Sequence, residues 1–143
     1  MSDVRRIGAE AEDEAARYLL SKGLTLVARR RKLRRGEIDL IALDGETIVF
    51  VEVKWRSGPG LSPEEAVDAR KRARIAAAAE EWLSDYVGPA RPVRFDVVAL
   101  DRDGIRHLVD AFSADEPAAA SRPADDDEGD QRPEGSTTPG MSE

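Results

Sequence analysis

Residues 38–43 (Ile-Asp-Leu-Ile-Ala-Leu) and 48–53 (Ile-Val-Phe-Val-Glu-Val) are apolar at all but one position each, and Asp44-Gly45 stands between them as a turn signal. Strands that are apolar on both faces need cover on both sides, so this hairpin belongs inside a sheet with helices above and below it. The two interruptions, Asp39 and Glu52, fall toward the same end of the hairpin, and Lys54 follows close behind. Charge gathered at one end of an otherwise apolar hairpin is the feature around which the rest of the chain is read.

The turn decides how close the charges come. A two-residue Asp44-Gly45 loop pairs Leu43 with Glu46 and puts Asp39 opposite Phe50, diagonal to Glu52 at roughly 7 to 8 Å. A four-residue loop sets Asp39 directly opposite Glu52 at roughly 5 Å. Either way the two carboxylates share a face that Lys54 joins, while Val49, Val51 and Val53 point the other way. Such charges need pairing, solvation or an ion. Mg²⁺ (or Mn²⁺) suits them, because a hard divalent cation takes one or two carboxylates and keeps several waters. A bound ion would acidify a water for attack on phosphorus, with Lys54 holding that water or offsetting charge on the phosphoryl oxygens. Asp39, Glu52 and Lys54 are thus the candidate catalytic residues, and the first two the candidate metal ligands. The plainer alternative is a structural salt-bridge cluster at a strand end.

Around the hairpin, Ala11, Ala15, Ala16, Leu19 and Leu20 recur at helical spacing and predict a helix over about residues 7–22, with Gly23 as its C-cap. Residues 25–32 read as an edge strand with Leu24, Leu26 and Ala28 on one face. Ser62-Pro63-Glu64-Glu65 is a capping-box start for a helix running to about Tyr86. Residues 93–100 and 105–109 form a second hairpin around Asp101-Arg102-Asp103-Gly104. The expected fold is α/β, a central mixed β-sheet flanked by helices, in a domain over residues 1–112.

Residues 113–143 are rich in Ala, Pro, Ser, Gly and acid, cannot bury enough apolar surface, and are expected to form a disordered acidic tail. They hold 9 acidic and 2 basic side chains and so account for the whole net charge of -7. Such a tail solubilises; a sharper reading makes it a mimic of nucleic acid lying over a basic groove. In the balanced remainder Arg29, Arg30, Arg31, Lys32, Arg34 and Arg35 put six cations into seven positions that lead straight to Asp39. Phosphate binding is the expectation for that run, with a solvated, aggregation-resistant edge as the alternative. Arg56, beside Trp55 in a Gly-containing stretch, is a candidate phosphate clamp, and Trp55 a candidate base-stacking residue.

There is no cysteine, so disulfides, thiolate nucleophiles and thiolate zinc sites are excluded, and the reducing cytoplasm is the expected compartment. The charged start and the lack of a long apolar run point away from export and membranes. A lone His107 cannot support chemistry that needs two imidazoles, and it reads as an ordinary strand residue. Any hydrolysis must rest on carboxylates.

With Asp39, twelve intervening residues and Glu52-Val53-Lys54, the chain resembles the PD-(D/E)xK nuclease superfamily. Gly36-Glu37-Ile38-Asp39-Leu40-Ile41, Phe50-Val51-Glu52-Val53-Lys54-Trp55-Arg56 and Arg94-Phe95-Asp96-Val97-Val98, together with Gly8, Glu12, Ala15, Tyr18 and Leu19, resemble the YraN-like family of bacterial proteins over nearly all of residues 7–110. The resemblance implies a restriction-endonuclease-like core similar to that of archaeal Holliday-junction resolvases. It further implies that Glu12, with Glu10 as the weaker substitute, joins Asp39 and Glu52 at the metal, and that Lys71 is a helix lysine contacting nucleic acid. Ile38 stands where the superfamily has proline. By the same analogy two copies would pair as a homodimer.

Two functions are carried forward. One is a divalent-metal-dependent endonuclease acting on DNA in preference to RNA, including branched DNA. The other is a catalytically silent nucleic-acid-binding module with the same fold. They separate at Lys54, whose loss removes turnover only in the first.

Overall fold

A computed structural model of the chain describes residues 2–56 and 67–114, with side chains from residue 8 onward. The Ser62 capping box and the acidic segment 115–143 lie outside the described residues. Among the described residues the order is α1 (Ser2–Ser21), β1 (Thr25–Leu33), β2 (Gly36–Asp44), β3 (Thr47–Trp55), α2 (Ala69–Ser84), β4 (Val93–Asp101) and β5 (Gly104–Phe112). The strands form one sheet in sequence order, antiparallel except for the β3–β4 pair, which is parallel and spans α2 in the chain. The α/β architecture with a mixed sheet is therefore the one expected.

Each face of the sheet carries one helix. Ala11, Ala15, Ala16 and Leu19 of α1 pack on Leu40, Ala42, Val49, Val51, Val98 and Leu100. On the other face Ile75, Ala78 and Ala79 of α2 pack on Ile38, Ile41, Ile48, Phe50, Phe95 and Val97. The small residues on both helices let their backbones approach the sheet closely. Gly36 extends the same device, since a Cβ there would lie 3.0 Å from the Arg74 carbonyl oxygen of α2.

Helix α1 ends as its sequence predicts. Gly23 adopts φ 95, its N–H donates to the Leu20 carbonyl at 3.0 Å, and the Leu24 N–H donates to the Leu19 carbonyl at 3.1 Å. This is a Schellman cap, with Leu24 and Leu19 in the same apolar cluster. Gly23→Ala forces a side chain into the left-handed region, and the urea midpoint of the full chain is expected to drop by the equivalent of about 1 kcal/mol. An unchanged midpoint would show that the cap tolerates a Cβ.

Three local expectations are corrected. Leu26 packs on the α1 side and Ala28 on the α2 side, because the β1–β2 register shifts between them and the bulge reverses the face. The central hairpin pairs Leu43 with Ile48 and Asp44 with Thr47, so its turn is Gly45-Glu46 rather than Asp44-Gly45. Gly45 supplies the φ of 61 at the first turn position, which is what a tight hairpin asks of glycine. Of the two registers considered, the one facing Asp39 toward Glu52 is present. The helix anticipated from Ser62 onward is not continuous: Asp68 is extended (φ -78, ψ 176) and caps α2, accepting the Lys71 N–H at 2.9 Å.

Candidate functional site

The β2–β3 ladder ends at Leu40–Val51. Beyond it β2 stays paired with β1 as far as Gly36, and β3 stays paired with β4 as far as Trp55. The central hairpin therefore opens into a fork at Asp39 and Glu52. Within the fork the Asp39 carboxylate accepts the Val53 N–H at 2.8 Å, standing in for the backbone acceptor that β2 no longer provides. The strand alternation is also broken here, for Ile38 faces α2 while Leu40 faces α1. Next to this break in β1, Arg30 takes an unusual φ of 51.

Glu52 is only 4% exposed, and its carboxylate lies 3.1 Å from the Lys71 ammonium of α2. Asp39 is pushed up to about 8, first by burial, then by the neighbouring Glu52 charge, with Glu12 adding to the effect and the Val53 N–H opposing it. Glu12 is near enough to be felt but is turned toward Arg30, whose Nε lies 2.5 Å away. Among the described residues no three acidic or histidine side chains are arranged to hold an ion together. The pair Asp39 and Glu52 still fits a hard divalent cation. Two adjacent, mostly buried carboxylates that cannot ionise together comfortably are what such an ion relieves, and two protein ligands are enough for it. Lys71 competes for Glu52 in this arrangement, a role the sequence does not announce because its partner is on another element.

Lys54 lies two residues beyond Glu52 on the face opposite Val53, half-buried. Its ammonium makes no ion pair or hydrogen bond with a described residue. Arg56 follows, its backbone N–H fixed on the Leu100 carbonyl at 2.9 Å and its Nε buried without a hydrogen-bond partner. Neither cation has a charged partner among the described residues. Trp55 is 39% exposed.

The basic run is placed differently from a free phosphate-binding stripe. Arg29 pairs with Asp13 and Arg30 with Glu12 on α1, while Arg34 pairs with Glu81 and Arg35 with Glu80 on α2. Glu81 also accepts the backbone N–H groups of Arg34 and Arg35 at 3.2 and 3.1 Å, so the β1–β2 turn is gripped by α2. Arg31 and Lys32 remain without a described partner.

Away from the fork, Arg94 and Asp96 form an ion pair. Asp96 is fully buried and accepts from Arg94 Nε at 2.9 Å, from the Asp110 N–H at 2.9 Å and from His107 Nε2 at 2.8 Å. Burial opposes its ionisation, but these donors outweigh burial and hold the carboxyl below its ordinary range. His107 in turn meets the Tyr18 hydroxyl at 3.3 Å. This network ties β4, β5 and α1 together, and His107 accordingly has a structural partner rather than a place at the fork.

The model of the family described as "Uncharacterised protein family UPF0102" matches residues 11–100, and this chain belongs to that family. The family is the YraN-like one. A UPF0102 protein of Halorhodospira halophila is 49% identical over 112 residues, covering 78% of this chain and 90% of its own length. One from Nocardia farcinica is 45% identical over 116 residues, covering 80% and 91%. One from Methylobacillus flagellatus is 44% identical over 115 residues, covering 78% of this chain and all of its own. No helix among the described residues is long and apolar enough to cross a membrane.

Proposed function

We propose that this chain binds nucleic acid, DNA in preference to RNA, and hydrolyses phosphodiester bonds with Mg²⁺ or Mn²⁺ held by Asp39 and Glu52. The observation that carries the reading is the carboxylate pair in the fork, with Asp39 held far above its usual range by burial and by Glu52. Lys54 and Arg56 lie next to it with no charged partner among the described residues. When bound, the cation would supply Lewis acidity and a water of lowered pKa. The residues supply the rest: Asp39 and Glu52 fix the ligand positions, the Val53 N–H orients Asp39, and Lys54 offers its ammonium to charge growing on phosphoryl oxygens. Glu12 can add a third carboxylate if released from Arg30, and Lys71 must yield Glu52 or share it.

The second reading, a silent nucleic-acid-binding module, is favoured by the Lys71–Glu52 ion pair, which already satisfies one ligand. A labelled panel of four-way junction, flap, single strand, plain duplex and structured RNA, incubated with Mg²⁺ or Mn²⁺, separates the two. Cleavage that EDTA and Glu52→Ala both abolish is the expected result. Salt-sensitive binding without any cleavage would move the assignment to the silent module.

A further inference from the structure

A cavity of about 310 Å³ opens between the edge strand β1 and the C-terminal end of α2, lined by Arg31, Leu33, Trp82, Asp85, Tyr86 and Val87. Its volume is at the lower end of the range for small-ligand sites. Trp82 and Tyr86 are stacked, with ring centroids 5.8 Å apart and planes 27° apart. Both rings are fixed from behind. Trp82 meets Phe50 edge-on at 5.7 Å, and the Tyr86 hydroxyl accepts Arg91 Nε at 3.1 Å. Gly88 leaves room for that hydroxyl, since a Cβ at this position would lie 2.6 Å from it. The aromatic wall is therefore pre-organised.

The charges at the mouth differ from those nearby. Arg29, Arg30, Arg34 and Arg35 are all matched by helix carboxylates. Arg31 is not, and neither is the Asp85 carboxylate, among the described residues. A rigid aromatic wall with an uncommitted guanidinium and an uncommitted carboxylate suits a ligand that is flat, carries N–H donors on its edge and is attached to an anion. An unpaired nucleobase with its phosphate has all three properties. A base-paired one does not, because its faces are stacked and its N–H edge is taken.

We propose that this cavity binds one unpaired nucleobase, stacked on Trp82 and Tyr86, with its N–H edge on Asp85 and its phosphate on Arg31. The inference rests on the nucleic-acid reading above and narrows it to substrates with a single-stranded segment beside the cleavage point. The cavity and the fork share the β1–β2 pair, in which Arg31 is the partner of Ile38, the neighbour of Asp39. Along α2, about 16 Å of helix rise separates Lys71 from Trp82, the span of about five stacked nucleotides at ~3.4 Å each.

The test uses the full chain in EDTA and two labelled DNAs of equal duplex length, one blunt and one with a single-stranded overhang of about eight nucleotides. Wild type is expected to bind the overhang DNA about 10-fold more tightly than the blunt one, a factor within reach of stacking a single base. Tyr86→Leu and Arg31→Ala are each expected to erase that preference, bringing the ratio of overhang to blunt-duplex affinity to about 1 whatever either change costs the blunt duplex. In a Trp55→Phe background, Trp82 emission is expected to be quenched by the overhang DNA only. Arg31 is exposed, so Arg31→Ala keeps the test valid even if Tyr86→Leu fails to fold. An overhang preference that survives both variants overturns the cavity assignment and leaves the nucleic-acid reading standing, as does an equal loss for both DNAs. Failure of the wild type to bind either DNA at low salt overturns both.

Discussion

Lys54→Ala is expected to leave DNA binding within about 3-fold of wild type and to lower single-turnover cleavage by about 10²- to 10³-fold, the range for removing one positioned donor from a developing oxyanion. The expectation comes from placement. Lys54 is anchored on a strand that stays paired with β4 through Lys54–Ala99 and Trp55–Leu100 while β2 has already departed. Its backbone is held by that pairing, and its side chain is half-buried. With no carboxylate among the described residues to neutralise it, the charge is available to phosphoryl oxygens. Lys54→Arg should recover little, because a planar guanidinium is larger and presents a fork where a compact point charge fits. Quenched-flow cleavage of the preferred substrate at saturating Mg²⁺ measures this. Retention of more than about one-tenth of the wild-type rate by Lys54→Ala would remove Lys54 from the reacting centre.

The second large effect is on stability. Asp39 has an ordinary value of 3.8 and is pushed up to about 8 in the fold. Below 3.8 its carboxyl is protonated in both folded and unfolded chains. Between 3.8 and about 8 the folded chain keeps a proton that the unfolded chain releases, so stability falls as pH rises through that window. Above it both states are ionised and the loss is complete. One pKa unit corresponds to ~1.4 kcal/mol, so the metal-free protein should lose at least about 2 kcal/mol from this site between pH 5 and pH 8.

Asp39→Asn imitates the protonated form: its carbonyl oxygen can accept the Val53 N–H, and its amide can donate to Glu52. In EDTA at pH 8 this variant should melt about 8 °C above wild type, taking ~4 °C per kcal/mol for a domain of this size. The same variant should lose the stabilisation that Mg²⁺ or Mn²⁺ gives to wild type, and it should not cleave. Thermal scans from pH 5 to pH 9, with and without the cation, decide the matter. If Asp39→Asn melts below wild type at pH 8 in EDTA, the fork is a structural ion cluster and not a strained ligand pair.

What the sequence made legible depended on short-range rules. The Gly23 cap needed only a helical apolar stripe and one glycine, and the second hairpin needed only Asp101 and Gly104 at the right spacing. The Asp101 carboxylate accepts the Asp103 and Gly104 N–H groups, as a turn of that composition should. The proximity of Asp39 and Glu52 was legible because strand parity survives either turn. The face reversal between Leu26 and Ala28 was not, because a bulge depends on how β1 meets β2 and leaves no mark in composition. For the same reason the break at Asp39 was hidden: it exists because β2 and β3 diverge, which is a property of the sheet. The partners of the arginine run and of Lys71 were beyond reach as well, since the carboxylates that meet them are on helices distant in sequence.

Strand β1 is held at its middle by α1, through Arg29 and Arg30, and just past its end by α2, through Arg34 and Arg35 of the β1–β2 turn. It therefore acts as a clasp between the two layers, fastened by charges that face solvent on at least one side. A clasp of this kind weakens with ionic strength, as screening shortens from ~8 Å at physiological salt to ~3 Å at 1 M. Under the proposed nucleic-acid reading, the salt dependence of affinity would then contain two superimposed contributions, release of counterions from phosphate and loosening of the clasp. A polyanion that recruits these arginines has to displace the helix carboxylates first, so tight engagement of β1 and tight closure of the helices on the sheet are competing states of one edge.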